Sequence, residues 1–267
     1  MIYTQTNNFP RIAYNKTGSG PSVMLIHGFP ERNTLWRNLV PLLADRYMLI
    51  TPDIPGTGES LPGSEQTSIE GMAHFIKAII DNEKIEEIII VGHSMGGYIA
   101  LAFAALYPEN VGGLSLVHST ANEDSDEKKH TRMKTVQLIR NGAKDMFLNQ
   151  MVPNLFAAHF KEYHPDLLDE QITRGKEVNS ESMMAFNIAM AERPDRKQIL
   201  RDATFPIQWI IGKEDMVIPC KETLAQSTLS NTTFVSIYEE CGHMSMLETP
   251  GKLAADLDRF FNYCFKI

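Results

Sequence analysis

The segment Ile88-Ile89-Ile90-Val91-Gly92-His93-Ser94-Met95-Gly96-Gly97 constrains the fold more than any other stretch of the chain. Four consecutive β-branched residues read as a buried strand. That strand runs directly into Gly-x-Ser-x-Gly. Gly92 and Gly96 suit a turn in which strand and helix backbones almost touch, because a side chain at either place would obstruct the approach. Tyr98, Ile99, Leu101, Ala102 and Ala105 then form an amphipathic stretch that stops near Tyr107-Pro108. Such a turn pushes Ser94 past the end of the sheet and aims the Met95 N–H at the place where negative charge grows on an attacked carbonyl oxygen. A turn that only packs tightly, or one that cradles phosphate, would use the same glycines. No Lys follows them as it does in a nucleotide loop.

Elsewhere, short apolar runs alternate with helical patterns: Val23 to Ile26, a helix around Leu35 to Leu43, Met48 to Ile50, a helix from Ser68 to about Asn82, then the Ile88 strand. This rhythm predicts an α/β fold with a mostly parallel, doubly wound sheet. Further strands are expected at Gly113 to Val117, Ile207 to Ile211 and Phe234 to Tyr238, with a closing helix from about Thr249. Residues 121–205 carry no strand-like run. They are expected to form a helical cap inserted into a core made of residues 1–120 and 206–267. One cap helix should run from Asp126 to Asn141, another should end before Pro153, a third should open on Pro165 and a fourth should be capped by Ser180. The cluster Glu123, Asp124, Asp126, Glu127, Lys128 and Lys129 reads as a solvated helix start.

The 267 residues, 43% of them hydrophobic, suffice for a large core. A formal net charge of −8 leaves no basic footprint. It argues against nucleic acid and anionic membranes as partners and for a neutral or weakly charged small molecule. Cys220, Cys241 and Cys264 are odd in number and lack paired metal spacing, so no metal site, cofactor or disulfide framework is expected. Reduced thiols, an opening without a signal-like apolar core and the lack of any bilayer-length segment together predict a soluble, cytoplasmic protein. The oligomeric state is left open.

A serine hydroxyl is a weak nucleophile until an imidazole accepts its proton, and the imidazole works best when a carboxylate fixes its tautomer. His243, in Cys241-Gly242-His243-Met244, follows the last expected strand and precedes the last helix, which puts it at the same sheet edge as Ser94. His74, His130, His159 and His164 fall in expected helices or in the cap, where surface or packing roles suffice. Gly212-Lys213-Glu214-Asp215 follows another strand, and open α/β sheets gather functional groups at the carboxyl ends of their strands. Asp215 is the expected acid and Glu214 its nearest rival. The second anion donor is expected to be the N–H of Phe29 in His27-Gly28-Phe29-Pro30, where Gly28 lets the backbone turn and Pro30 stiffens it.

With these segments in place, the chain resembles the α/β-hydrolase fold superfamily over essentially its whole length, in the order Ser94, Asp215, His243. Asp53-Ile54-Pro55-Gly56-Thr57-Gly58-Glu59-Ser60 resembles the family's turn after its fourth strand, which implies a structural Asp53. His243 through Pro250 resembles its usual ending, with Glu248 and Pro250 starting the final helix. His27-Gly28-Phe29-Pro30 followed by Trp36 is similar to epoxide hydrolases, haloalkane dehalogenases and cofactor-free haloperoxidases. The first two require an aspartate at the elbow, so Ser94 directs the chemistry to acyl transfer. Carbon–carbon hydrolases of the meta-cleavage type often carry Asn where His93 stands. The resemblance implies a serine hydrolase acting on small or medium carboxylic esters, thioesters or lactones. Its alternatives are a perhydrolase or haloperoxidase, a carbon–carbon hydrolase with the same triad, and a hydrolase-like small-molecule receptor.

Methionine flanks the expected site at Met95, Met216, Met244 and Met246 and recurs in the expected cap, and flexible thioethers fill irregular apolar space. An apolar acyl pocket over Ser94 is therefore expected. Its candidate walls are His27, His93, His118, Met133, Phe147, Met151, Phe156, Met184, Met216 and Met244. The rate should fall as His243 gains a proton, since a cationic imidazole cannot take one from serine.

Overall fold

β5 (Ile88–His93) is buried at every residue and lies inside the sheet, as its unbroken apolar run requires. The computed structural model describes residues 1–64 and 68–267. Among them, β1 (Ile2–Thr4), β2 (Ile12–Thr17), β3 (Ser22–Ile26), β4 (Met48–Pro52), β5, β6 (Val111–Val117), β7 (Ile207–Gly212) and β8 (Thr233–Tyr238) form one sheet in the order β1-β2-β4-β3-β5-β6-β7-β8. From β4 to β8 all pairings are parallel, whereas β1 and β2 run antiparallel at one edge. These two edge strands were not foreseen. β2 is apolar and buried only over Ile12-Ala13-Tyr14 and turns polar at Asn15-Lys16-Thr17, too short a run to stand out.

The strand order reverses at β3. The chain leaves β3 for β4 on one side, then crosses to β5 on the other, with Ile26 paired to Gly92. At such a switch point the loops after the two strands diverge and leave a crevice at their carboxyl ends. Those loops begin with His27 and Ser94.

Around Leu35 to Leu43 the expected helix is a 3-10 turn, Asn33–Asn38, followed by a single α turn, Val40–Leu43, with a proline in its first turn. Asp53 staples this region: Oδ1 accepts from the Asn33 N–H at 2.9 Å and Oδ2 from the Glu59 N–H at 3.0 Å. Between β6 and β7 come the helices Asp126–Arg140, Lys144–Met151, Ala158–Tyr163, Pro165–Glu177, Ser180–Glu192 and Lys197–Asp202. Ser125 caps the first of them. The helix starting at Ser180 is capped by Asn179 and not by Ser180, because the Asn179 side chain lies one position further out and accepts from the Ser182 N–H at 2.7 Å. Helix Pro165–Glu177 is tied to the segment after β3 by Arg37–Glu170 at 2.7 Å and Arg32–Glu177 at 2.6 Å. The three cysteines are free thiols. Among the described residues no helix is long and apolar enough to cross a membrane.

Candidate active site

Ser94 sits between β5 and helix Met95–Leu106 with φ 52° and ψ −117°, a conformation that non-glycine residues rarely adopt. The glycines around it make that turn feasible. A Cβ on Gly92 would lie 2.4 Å from the Gly96 carbonyl oxygen, and one on Gly96 would lie 2.3 Å from the Ile26 carbonyl oxygen. Both obstructions are backbone, so no side-chain movement relieves them. The elbow is further fixed by the Ser94 N–H donating to the Val117 carbonyl at 3.0 Å and by Ser119 Oγ donating to the Ser94 carbonyl at 2.8 Å.

Asp215 follows β7 and His243 follows β8, and both are buried. His243 Nδ1–H donates to Asp215 Oδ2 at 2.7 Å, which leaves Nε2 as the acceptor. Asp215 Oδ1 takes the N–H groups of Val217 and Ile218 at 2.8 and 2.9 Å, so the carboxylate cannot swing away. Burial alone would raise the Asp215 pKa. The facing His243 charge and the hydrogen bonds from His118 and His243 outweigh it and hold the carboxyl well below the usual carboxylate range. Glu214 points elsewhere, accepting from the Ala158 N–H of the 121–205 segment at 2.9 Å.

Ser94, His243 and Phe29 line one cavity of about 250 Å³. Among the described residues no hydrogen bond joins Ser94 Oγ to His243 in this conformation. Contacts of this kind often tighten only when substrate is bound. The N–H groups of Phe29 and Met95 stand at the carboxyl ends of the adjacent strands β3 and β5, and neither donates to a described residue. Two uncommitted donors at a switch point, one of them on a helix N-terminus, can hold an oxyanion.

A family model described as alpha/beta hydrolase fold matches residues 21–250. The chain belongs to the α/β-hydrolase fold family. It is similar to a thermophilic esterase from Thermogutta terrifontis, with a TM-score of 0.93 and 27% identity over 98% of each chain. Monoacylglycerol lipase ABHD6 of Homo sapiens is 27% identical over 90% of this chain and 74% of its own. A 2-hydroxy-6-oxononadienedioate/2-hydroxy-6-oxononatrienedioate hydrolase of Cupriavidus pinatubonensis is 28% identical over 89% and 86%.

Of the wall residues expected from sequence, Phe147 and Met151 line the cavity of this α/β-hydrolase. His27 does not; it donates from Nδ1 to the Gly28 carbonyl and accepts the Ile54 N–H at Nε2, and burial pulls its pKa down to about 4. His93 lies behind the serine and donates from Nε2 to the His243 carbonyl at 2.9 Å. Burial, reinforced by the neighbouring His243 and His118, keeps its pKa far below the ordinary value. His118 is turned inward, with Nδ1 3.4 Å from the Asp215 oxygen that His243 uses. Phe156 stacks on Phe160, Met244 is buried in the core, Met184 packs against that core, and Met133 and Met216 face solvent. These side chains follow packing, because helical spacing alone does not say which face looks at the serine.

Sequence reasoning missed the part played by Glu248. Its carboxylate accepts from the N–H groups of Gly242 at 3.0 Å, Met244 at 3.0 Å and Ala157 at 2.9 Å, so it clamps the His243 loop from both sides. Its place five residues after His243 was the signal, read only as a helix start. Tyr98, Leu155, Asn187 and Met190 are further cavity walls that were not singled out.

Proposed function

We propose that this α/β-hydrolase cleaves small or medium carboxylic esters through an acyl-enzyme, with Ser94 as nucleophile, His243 as base and Asp215 as the group that orients His243. The observation that carries this reading is the 2.7 Å bond between His243 and Asp215 at the wall of a largely apolar cavity that Ser94 also lines. Ser94 Oγ attacks the ester carbonyl while His243 Nε2 takes its proton, and Asp215 stabilises the imidazolium that results. The carbonyl oxygen becomes an oxyanion held by the Phe29 and Met95 N–H groups, each worth about a hundredfold or more in rate. The intermediate collapses as His243 returns the proton to the departing alkoxide. Water then repeats the sequence against the acyl-enzyme and releases the acid.

The similarity to an esterase and to a monoacylglycerol lipase supports the ester reading. An apolar acyl chain suits Phe29, Phe147, Met151, Leu155 and Met190, and no metal or cofactor enters the scheme. The relative from Cupriavidus pinatubonensis favours a second reading, carbon–carbon hydrolysis by the same triad. Stopped-flow with a p-nitrophenyl ester tests the first. Wild type should release a burst of one nitrophenolate per chain, and Ser94→Ala should remove the burst and cut turnover by about 10³-fold or more. Unchanged turnover in that variant removes Ser94 from the mechanism. Faster cleavage of a vinylogous diketone than of any ester selects the second reading.

A further inference from the structure

The helix Asp126–Arg140 lays one face against the cavity. Lys128, Thr131, Arg132 and Thr135 all line it, and they are spaced i, i+3, i+4 and i+7. Phe29, Phe147, Met151, Leu155 and Met190 are apolar walls contributed by other segments. The cavity therefore combines apolar walls with a polar, cationic stripe from one helix. In a chain of net charge −8, its lining holds Lys128 and Arg132 and no carboxylate. Lys128 had read as part of a solvated helix start. It is instead half-buried, and its Nζ donates to the Val217 carbonyl at 3.1 Å, a neutral partner that leaves the charge uncompensated.

Arg132 is held from behind. Its Nε donates to Asp124, a buried carboxylate that also pairs with Arg193 at 2.8 Å. One carboxylate thus stands between two arginines, and neither Nη of Arg132 donates to a described residue. Arg193 is occupied by the Met190 and Asn122 carbonyls and by the face of Tyr98, 3.9 Å away. Lys128 and Arg132 remain to meet a ligand. Lys128, Thr131 and Val217 also line the outer crevice, so the stripe stands where cavity and entrance join. That crevice is charged with both signs, by Glu123, Asp124, Asp126, Glu127, Asp195 and Glu222 against Lys128, Lys129, Arg193 and Lys197, so selection of an anion rests on the inner stripe alone.

We propose that Lys128 and Arg132 form a subsite for a carboxylate on the substrate, so that the preferred esters are half-esters or esters carrying a remote acid group. This rests on the ester-hydrolase reading above and departs from the neutral substrate that net charge suggests. A Lys and an Arg one helical turn apart can share the two oxygens of a carboxylate. With Asp124 already offsetting part of the cluster, the remaining charge matches a monoanion better than a phosphate dianion.

The test compares pairs of equal shape. On the acyl side, p-nitrophenyl hydrogen adipate is set against the ester in which isopropyl replaces the terminal carboxylate. On the alcohol side, the acetate of p-hydroxyphenylacetic acid is set against the acetate of p-isobutylphenol. Wild type should favour the charged member of at least one pair about tenfold or more in kcat/KM, and the favoured pair tells which half of the substrate carries the acid. In Lys128→Met that ratio should fall at least fivefold, and in Lys128→Glu it should invert. Arg132→Met, with folding checked by circular dichroism, should lower the same ratio. Equal rates in both pairs, or preference for the uncharged members, overturn the subsite and leave the ester reading standing. No turnover of any of the four esters removes both.

Discussion

Asp215 commits one oxygen to backbone N–H groups and the other to His243, so a variant can remove its charge and keep its place. Asp215→Asn retains an acceptor for Val217 and Ile218 but presents either a second donor or a weaker acceptor to His243 Nδ1. The imidazole then loses its tautomer preference, and kcat should fall by about 10³–10⁴-fold with KM within a few-fold, measured by steady-state ester hydrolysis. A similar KM rise with intact kcat would mean that Asp215 serves binding and not proton transfer. Glu248 acts one step further out. It touches no cavity wall, yet it takes three backbone N–H groups that fix the His243 loop. Glu248→Ala leaves those donors without a carboxylate, which should cost about 2–3 kcal/mol in urea unfolding. Its kcat should drop while KM moves little, because His243 loses its support and the other cavity walls do not. His118 shares Asp215 with His243, and burial lowers its pKa, so the second imidazole next to that carboxylate is held neutral by desolvation.

The strand, elbow and helix at 88–106 form the element in which sequence and structure agree most closely, and the glycines explain why. Gly92 and Gly96 are read from the chain as places where backbones touch, and the contacts a Cβ would make there, 2.3 to 2.4 Å from carbonyl oxygens, are backbone contacts. Gly96→Ala should therefore cost about 3 kcal/mol or more by overpacking, seen as a lower urea midpoint at unchanged m-value. A neutral outcome would mean that β3 and the elbow helix can separate without loss. Strands that are mostly apolar, β3 to β8, were legible for the same reason: pattern and length identify them without reference to the rest of the molecule. Where partners lie far apart in sequence, legibility ends. The antiparallel β1 and β2 owe their place to pairing with β4, and Tyr14 meets Pro52 from across the chain. Met133 and Lys128 stand on the same helix, Asp126–Arg140, but only tertiary packing decides that the lysine faces the cavity and the methionine faces water. Strand ends concentrate chemistry, so Ser94, Asp215 and His243 could be named as candidates from the turns that follow expected strands, and the structure brings Asp215 to His243 and sets Ser94 and His243 in one cavity, whereas most of the cavity wall was not legible.

At the scale of the whole molecule, the ion pairs Arg32–Glu177 and Arg37–Glu170 tie helix Pro165–Glu177 to the segment after β3, and a buried carboxyl lies within the field of their arginines. Glu31 follows the Phe29-Pro30 step and is nearly buried, with Oε2 unpaired. Its N–H donates to the Gly28 carbonyl at 3.0 Å. Burial raises its pKa from 4.5 to about 7, against the opposing charges of Arg174, Arg37 and Arg32 and with a small addition from Glu170. In the unfolded chain the group ionises near its ordinary value, so between 4.5 and about 7 the folded protein binds the extra proton. The contribution of Glu31 to stability therefore declines as pH rises through that window, by about 3 kcal/mol in all, and levels off above it. Asp215 works in the opposite sense: its depressed pKa contributes stability present above the ordinary carboxylate range and lost as the protein is acidified. His27, His93 and His118 act in the same sense as Asp215: burial depresses their pKa values, so the unfolded chain takes up protons that the fold refuses and stability is lost as pH falls below about 6.5. Glu31→Gln removes only the Glu31 contribution. The difference in urea midpoint between variant and wild type should change steadily from about pH 5 to pH 8, the variant lying near or below wild type at the acid end and above it at the alkaline end. A difference that stays constant over that range would mean that Glu31 does not ionise within it.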